Sequence, residues 1–410
     1  MVLSRGIFAR GASPNEKLDI ALIGIGGRGG ANLGGVSGEN IVALCDVDDN
    51  RAGKAYGKFP KAKKYYDFRK MLDDMGKQID AVVVSTPDHT HVHPAVRALR
   101  MGKHLYCEKP LGHAVSECRL MADIAREKKL ATQLGAQRHA IPNMHRVVEL
   151  VQSGAIGEVR EVHAWIGGDR GMPKVPTEFP PVPEHLKWDL WLGPAADRKY
   201  SPEYCPYKWR FWWDFGTGET GNWGCHILDI SYWALGLKYC TKVAGSGPPV
   251  DPQRTPNSMK TRFEFPARGD KPPVTLHWYH TKSAPPVVAE HKLSAKGANT
   301  VFVGSKGILV CGFGSRRLYP EDKFKDFESP KPYIPDSPGF YKEWINACKG
   351  GEPATCNFDY SGPMAETVLL GNVAYRVGRE FDWNAKTMTS PNCTEIEPYI
   401  RPKYREGWPL

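Results

Sequence analysis

At 410 residues the chain is too long for one ordinary core, so two domains are expected, with an interior large enough to hold a cofactor cleft. Hydrophobic residues make up 41% and charged residues 24%, the balance of a soluble globular chain, and no run of about 18 apolar residues could cross a bilayer, which argues against membrane insertion. The formal net charge of +10 is scattered, with clusters as short as Lys61, Lys63 and Lys64, and no nucleic-acid-binding motif accompanies it, so a dinucleotide or an acidic sugar suits it better than nucleic acid.

Residues 1–16 read as an irregular N-terminal arm. With Arg5, Arg10 and Pro14 they lack the apolar stretch of a secretory signal. From 17 to 140 short aliphatic runs alternate with helical spacing: Asp19-Ile20-Ala21-Leu22-Ile23, Ile41-Val42-Ala43-Leu44, Ala81-Val82-Val83-Val84 and His104-Leu105-Tyr106 read as strands of a doubly wound parallel sheet. His93–Arg100 and Ser116–Lys128 read as crossover helices. This is the pattern of an NAD-binding Rossmann domain in an α/β protein.

Gly24-Ile25-Gly26-Gly27-Arg28-Gly29 follows the first strand and opens a helix, the context a dinucleotide fingerprint requires. Gly24 serves the tight turn, Gly26 the approach of a pyrophosphate, and Gly29 close helix–strand packing, while free N–H groups at the helix start face the phosphates. Asp46 ends the second strand, where a carboxylate accepts from ribose hydroxyls and repels a 2′-phosphate, favouring NAD over NADP. Ser85-Thr86-Pro87 ends the third strand at the ligand-binding edge. Asp88, His89, His91 and His93 follow; their spacing is read as a loop and helix start rather than a metal site, with His89 counted among the cofactor residues. Glu108-Lys109-Pro110 ends the fourth.

From 141 to 383 a substrate and oligomerisation domain is expected: a helix up to Ser153, a strand from Glu158 to Ile166, a functional loop over 171–208, then strands near 241–244, 259–265, 274–279, 299–303 and 308–310 forming a large open, mainly antiparallel sheet. Helices return at Phe340–Lys349 and Ser361–Arg379. Residues 384–410 read as an extended tail over the surface or a neighbouring subunit. The ten cysteines form no CxxC pair and no zinc spacing, so buried free thiols are expected and no metal. Aromatic and charged residues around 207–214 suit a sugar's apolar face and hydroxyl edge, although three tryptophans in five residues leave at least one for structure.

The motifs Gly24 to Gly29, Asp46, Ser85-Thr86-Pro87, Glu108-Lys109-Pro110 and Gly224-Cys225-His226-Ile227-Leu228-Asp229, in this order, resemble the glucose–fructose oxidoreductase, inositol dehydrogenase and MocA family from Lys17 to about Trp383. The resemblance implies NAD as cofactor, a carbohydrate bound between the domains, and Lys109 and His226 beside the reacting hydroxyl. It also implies a homodimer or homotetramer formed on the open sheet face. Many relatives carry an Asp where this chain has Asn222, which makes His226 the stronger base. Asn222, Asp229, Arg170, Tyr204, Lys208, Trp209 and His280 are the candidate substrate residues. The activity so implied is oxidation of a secondary hydroxyl, such as C3, of a sugar or glycoside. The alternatives are an NAD-dependent glycosidase that oxidises C3 transiently, and a non-catalytic NAD-binding sensor. The compartment is left open between bacterial cytoplasm and, had a twin-arginine leader been removed, periplasm.

Overall fold

The computed structural model describes residues 16–410, so the arm expected over 1–16 lies outside the described residues except for its last position. Strands β1 (Asp19–Ile23), β2 (Asn40–Cys45), β3 (Lys63–Tyr65), β4 (Ala81–Val84), β5 (His104–Cys107) and β6 (Thr132–Leu134) form one parallel sheet in the order β3-β2-β1-β4-β5-β6. Every side chain of β4 is buried, which is why the sequence there is an unbroken aliphatic run rather than an alternation. Strand order reverses between β1 and β4, and the crevice outside their carboxyl ends is where such sheets take ligands. The three-residue strands β3 and β6 carry too little apolar sequence to be read in advance.

The second sheet comprises β7 (Val159–Gly167), β8 (Lys242–Ser246), β9 (Met259–Phe265), β10 (Val274–Thr281), β11 (Thr300–Gly304), β12 (Ile308–Cys311), β13 (Arg316–Tyr319) and β14 (Phe381–Asp382), in the order β13-β12-β11-β7-β10-β9-β8-β14. Its pairs are antiparallel except β7 with β10, which run parallel at its centre. One face packs on the helices Gly218–Ile227 and Phe358–Val377. The second of these is buried from Ser361 to Tyr375, and burying Val368, Leu369, Leu370 and Val373 stabilises the fold by roughly 1.5–3 kcal/mol per side chain before entropy is counted. Asn357 caps its start by accepting from the Asp359 and Tyr360 N–H groups, and Gly378, at φ 69°, ends it in the left-handed region. Two 2.7 Å hydrogen bonds from Arg119 to Glu366 fasten it to the Rossmann helix Val115–Glu127.

The long loop expected over 171–208 contains only the short helix Trp188–Leu192. It is ordered by an aromatic cluster of Trp191, Tyr204, Trp212 and Phe215, and by backbone bonds from Asp49 to His185 and from Lys187 to Val47 that clamp it against the end of β2. The tail after 384 folds back on the same chain: Tyr404 donates to Glu117 over 2.8 Å, and the Trp408 ring lies 4.3 Å from the Arg69 guanidinium. All ten cysteines are buried and unpaired, as expected from their apolar neighbours.

Candidate active site

The turn after β1 is built by steric exclusion. Gly24 adopts φ +77°, and a Cβ there would stand 2.8 Å from the Ser85 carbonyl; one on Gly29 would stand 1.9 Å from the Gly24 oxygen. Only glycine lets the helix Arg28–Gly35 start this close to β1 and β4. Asp46 then locks the turn: its Oδ2 accepts from the N–H groups of Ile25 (2.8 Å) and Gly26 (3.1 Å), and its Oδ1 from Asp48 (3.1 Å). Burial pushes its carboxyl above the usual carboxylate range, with these backbone bonds opposing.

At the end of β5, Glu108 accepts from Arg28 (3.2 Å), Asn32 (3.0 Å) and Gln137 (2.8 Å), tying the glycine helix to the strand. The neighbouring Lys109 turns the other way, and its Nζ donates to Asn222 Oδ1 at 2.9 Å. Asn222 and His226 sit one turn apart on the helix Gly218–Ile227, so both reach the same space. Asp88 fixes that helix from the Rossmann side by accepting from the Thr217 N–H (3.1 Å) and hydroxyl (2.6 Å) just before it begins.

These groups enclose a cavity of about 450 Å³. Gly24, Gly26, Gly27, Arg28, Asp46, Ser85, Thr86, Pro87, Glu108, Lys109, Trp209, Asn222 and His226 all line it. The residues fit a dinucleotide: the glycine turn leaves room for a pyrophosphate, and the buried Thr86 hydroxyl and His226 Nδ1 have no hydrogen-bond partner among the described residues. Burial, then the positive charges of Lys109, Arg138 and Arg28, hold the His226 imidazole well below its ordinary pKa, so it is neutral. Burial also lowers Lys109, opposed by Glu108 and Asp88.

Other expected site residues lie elsewhere. Gly29 is under the helix rather than in the cavity wall. His89 is buried behind the wall, its ring nitrogens 3.2 Å from the carbonyls of Phe215 and Trp191, and burial drops its pKa to about 3. Asp229 is fully buried and turned away: it is in the first turn of the next helix, Asp229–Leu235, and accepts from Tyr360 (2.6 Å) and His139 (2.9 Å). Its three-residue spacing from His226 does not keep it on the same face because the helix ends between them. Tyr204 is spent in the aromatic cluster, and Lys208 pairs with Glu203 at 2.7 Å on the surface. Arg170 pairs with Glu219, whose Oε2 accepts from Asn222 at 3.3 Å, so it stands one residue behind the wall. His280 is buried on β10 outside the cavity. Of the three clustered tryptophans, Trp212 and Trp213 donate to the Glu203 and Asp251 carbonyls as structural members. Arg210, in the aromatic and charged segment 207–214 read as suiting a sugar, lines the cavity, whereas the sequence reading missed Arg51, Trp191 and Trp408, which also line it. Each comes from a segment with no motif of its own.

A family model described as oxidoreductase family, NAD-binding Rossmann fold, matches residues 18–136, and a companion model for the oxidoreductase family's C-terminal alpha/beta domain matches residues 162–244. Inositol 2-dehydrogenase of Salmonella typhimurium is 30% identical over 152 residues, 36% of this chain and 45% of that protein. Inositol 2-dehydrogenase 2 of Saccharopolyspora erythraea is 31% identical over 255 residues, 60% of this chain and 62% of that protein. The chain thus spans less than two thirds of the length of these curated relatives. The structure of the WlbA dehydrogenase from Bordetella pertussis, in complex with NADH and UDP-GlcNAcA, superimposes with a TM-score of 0.64 at 16% identity over 90% of this chain and 99% of that one, a likeness of fold.

Proposed function

The chain belongs to the glucose–fructose oxidoreductase, inositol dehydrogenase and MocA family, and from that premise we propose that it is an NAD(H)-dependent dehydrogenase acting on a secondary hydroxyl of a sugar or glycoside. The observation that carries the proposal is the convergence of Lys109, Asn222 and His226 in the cavity that the glycine turn also lines. Relatives named for inositol, and one fold neighbour bound to NADH and a nucleotide sugar, support a nicotinamide cofactor and a hydroxylated ring as substrate.

NAD, which the glycine turn and the cavity wall around Asp46 would hold, would supply the hydride acceptor for the carbinol carbon. The protein handles the proton and the charge. His226, neutral and with Nδ1 unpartnered among the described residues, takes the hydroxyl proton. Lys109, held in place by Asn222, donates a hydrogen bond to the same oxygen and offsets the negative charge that grows on it. The amide of Asn222 cannot take a proton, so it orients Lys109 without competing for the base role. Trp209, with Arg210 stacked 4.2 Å over its ring, offers an apolar wall for a sugar face beside a cationic edge. We assign C3 as the reacting position and a homodimer or homotetramer as the assembly on the family resemblance alone.

The test is to supply the purified protein with excess NAD and a panel of sugars and aryl glycosides while following the absorbance of reduced nicotinamide. Accumulating NADH with one sugar is the expected result. Release of the aryl group with no net NADH would replace this reading with a glycosidase that recycles its cofactor in each turnover. No change with any substrate, alongside measurable cofactor binding, would leave a sensor.

A further inference from the structure

On the face of the second sheet that is turned away from its helices, β7 and β10 bring together a group that the dehydrogenase chemistry does not use. Glu161 and His163 are two residues apart on β7, so their side chains emerge on one face; His277 is the direct register partner of His163 on the parallel strand β10. The residues between them, Val162, Ala164, Leu276 and Trp278, point into the main core. Glu161 Oε1 lies 3.0 Å from His163 Nε2 and 3.2 Å from His277 Nε2, and the two imidazole rings are parallel, 4.7 Å apart. None of the three lines the active-site cavity.

We propose that Glu161, His163 and His277 form a binding site for a divalent transition-metal ion, zinc in particular. Two imidazole nitrogens and a carboxylate oxygen are a common zinc donor set, and bonds of roughly 2.0–2.2 Å in a tetrahedron place neighbouring donor atoms about 3.3 Å apart. The two measured oxygen–nitrogen separations match that edge, and all three donor atoms lie within 4.8 Å of one another. The Tyr279 hydroxyl stands 3.0 Å from His163 Nδ1, where it can accept the N–H of a ring bound to metal through Nε2 and so fix that ring's orientation. The setting argues against an accidental cluster. His163 and Tyr279 are buried, and Trp165, Val301 and Val310 make the adjoining surface apolar, where placing polar groups costs energy that a ligand can offset. The Glu161 side chain is 45% exposed in the single chain, so the described residues leave the remaining coordination position unfilled. A bound ion would cross-link β7 and β10, the one parallel pair of this sheet.

The experiment uses the full-length protein without a histidine tag, stripped by a chelator and then titrated with Zn²⁺ by calorimetry, with Co²⁺ as a spectroscopic probe. The expected result is one saturable equivalent per chain, a Tm that rises with Zn²⁺ concentration, and visible Co²⁺ bands of a four-coordinate site. His277→Gln and Glu161→Gln are each expected to remove that equivalent, and Tyr279→Phe to weaken it by about 10-fold or more. Glu161 is half-exposed, so Glu161→Gln keeps the fold even if a histidine variant does not, and far-UV circular dichroism checks this. No saturable binding, or binding indifferent to Glu161→Gln and His277→Gln, would overturn the proposal and leave a metal-free group in which one carboxylate holds two imidazoles.

Discussion

Lys109 Nζ donates to Asn222 Oδ1 across 2.9 Å, a bond that joins the end of a Rossmann strand to the helix carrying His226 one turn further on. An amide holds the ammonium in place without adding a negative charge beside it, so burial remains free to lower the Lys109 pKa. Asn222→Asp adds that charge. The alkaline limb of kcat/KM is therefore expected to move to higher pH, with turnover kept within about 10-fold of the parent. A pH profile that stays fixed would separate Lys109 from that limb.

Lys109→Met removes the donor that faces the reacting oxygen while filling similar volume. Turnover is expected to fall on the order of 10²–10³-fold or more. The Kd for NAD, read by fluorescence titration, should stay within a few-fold, because the glycine turn and Asp46 are left intact. Full turnover in this variant would remove Lys109 from the chemistry.

His226 is held neutral by burial and by three cations, Lys109, Arg138 and Arg28 in order of effect, so the acid limb of kcat/KM is expected below its ordinary 6.5. Arg138→Gln withdraws one cation without touching the glycine turn, and should move that limb upward. If the limb stays put in Arg138→Gln and persists in His226→Asn, another group is the base.

Much of this machinery was legible in the sequence because it depends on backbone geometry with few solutions. The glycine turn and the aliphatic runs of β1 and β4 follow from sheet and turn sterics that leave a local signature, whereas Lys109 after β5 was marked by the family resemblance of Glu108-Lys109-Pro110. What was not legible depends on where distant segments meet. Asp229 looked like a neighbour of His226 until the helix break sent it to His139 and Tyr360, 90 and 131 residues away in sequence. His89 sits beside the cofactor motif in sequence but is used as a strut to the long loop. The parallel pairing of β7 with β10 sets His163 against His277 across more than a hundred residues, and no local pattern encodes that.

Stability should fall on acidification through several buried histidines. Burial is the first cause in each case, and the pKa values drop to about 3 for His89 and about 4 for both His93 and His280. The unfolded chain binds protons below about pH 6.5 while the folded imidazoles stay neutral, so stability is fully present above that pH and is lost as pH falls toward 4. Each histidine contributes a loss on the order of 1.4 kcal/mol per pH unit within this window. Urea midpoints at pH 7 and pH 5 measure the sum. His93→Gln should flatten the dependence, and an unchanged slope would show that His93 does not report it.

Trp408, two residues before the last one given, lines the cavity together with Phe68, and the centroids of their rings are 6.1 Å apart. Its ring is held against the Arg69 guanidinium, and its carbonyl accepts from His93 Nε2 at 3.0 Å, so the indole is placed by the Rossmann domain it covers. As a wall for the cofactor the indole would contact NAD equally in ground and transition states, and removing it should weaken binding without slowing the chemical step. Trp408→Ala is expected to raise the KM for NAD about 10-fold, which corresponds to about 1.4 kcal/mol, with kcat nearly unchanged, and Trp408→Phe should recover most of the loss. Were kcat to fall while KM held, the tail would act on the reacting end of the cleft through the helices it touches rather than as a wall for the cofactor.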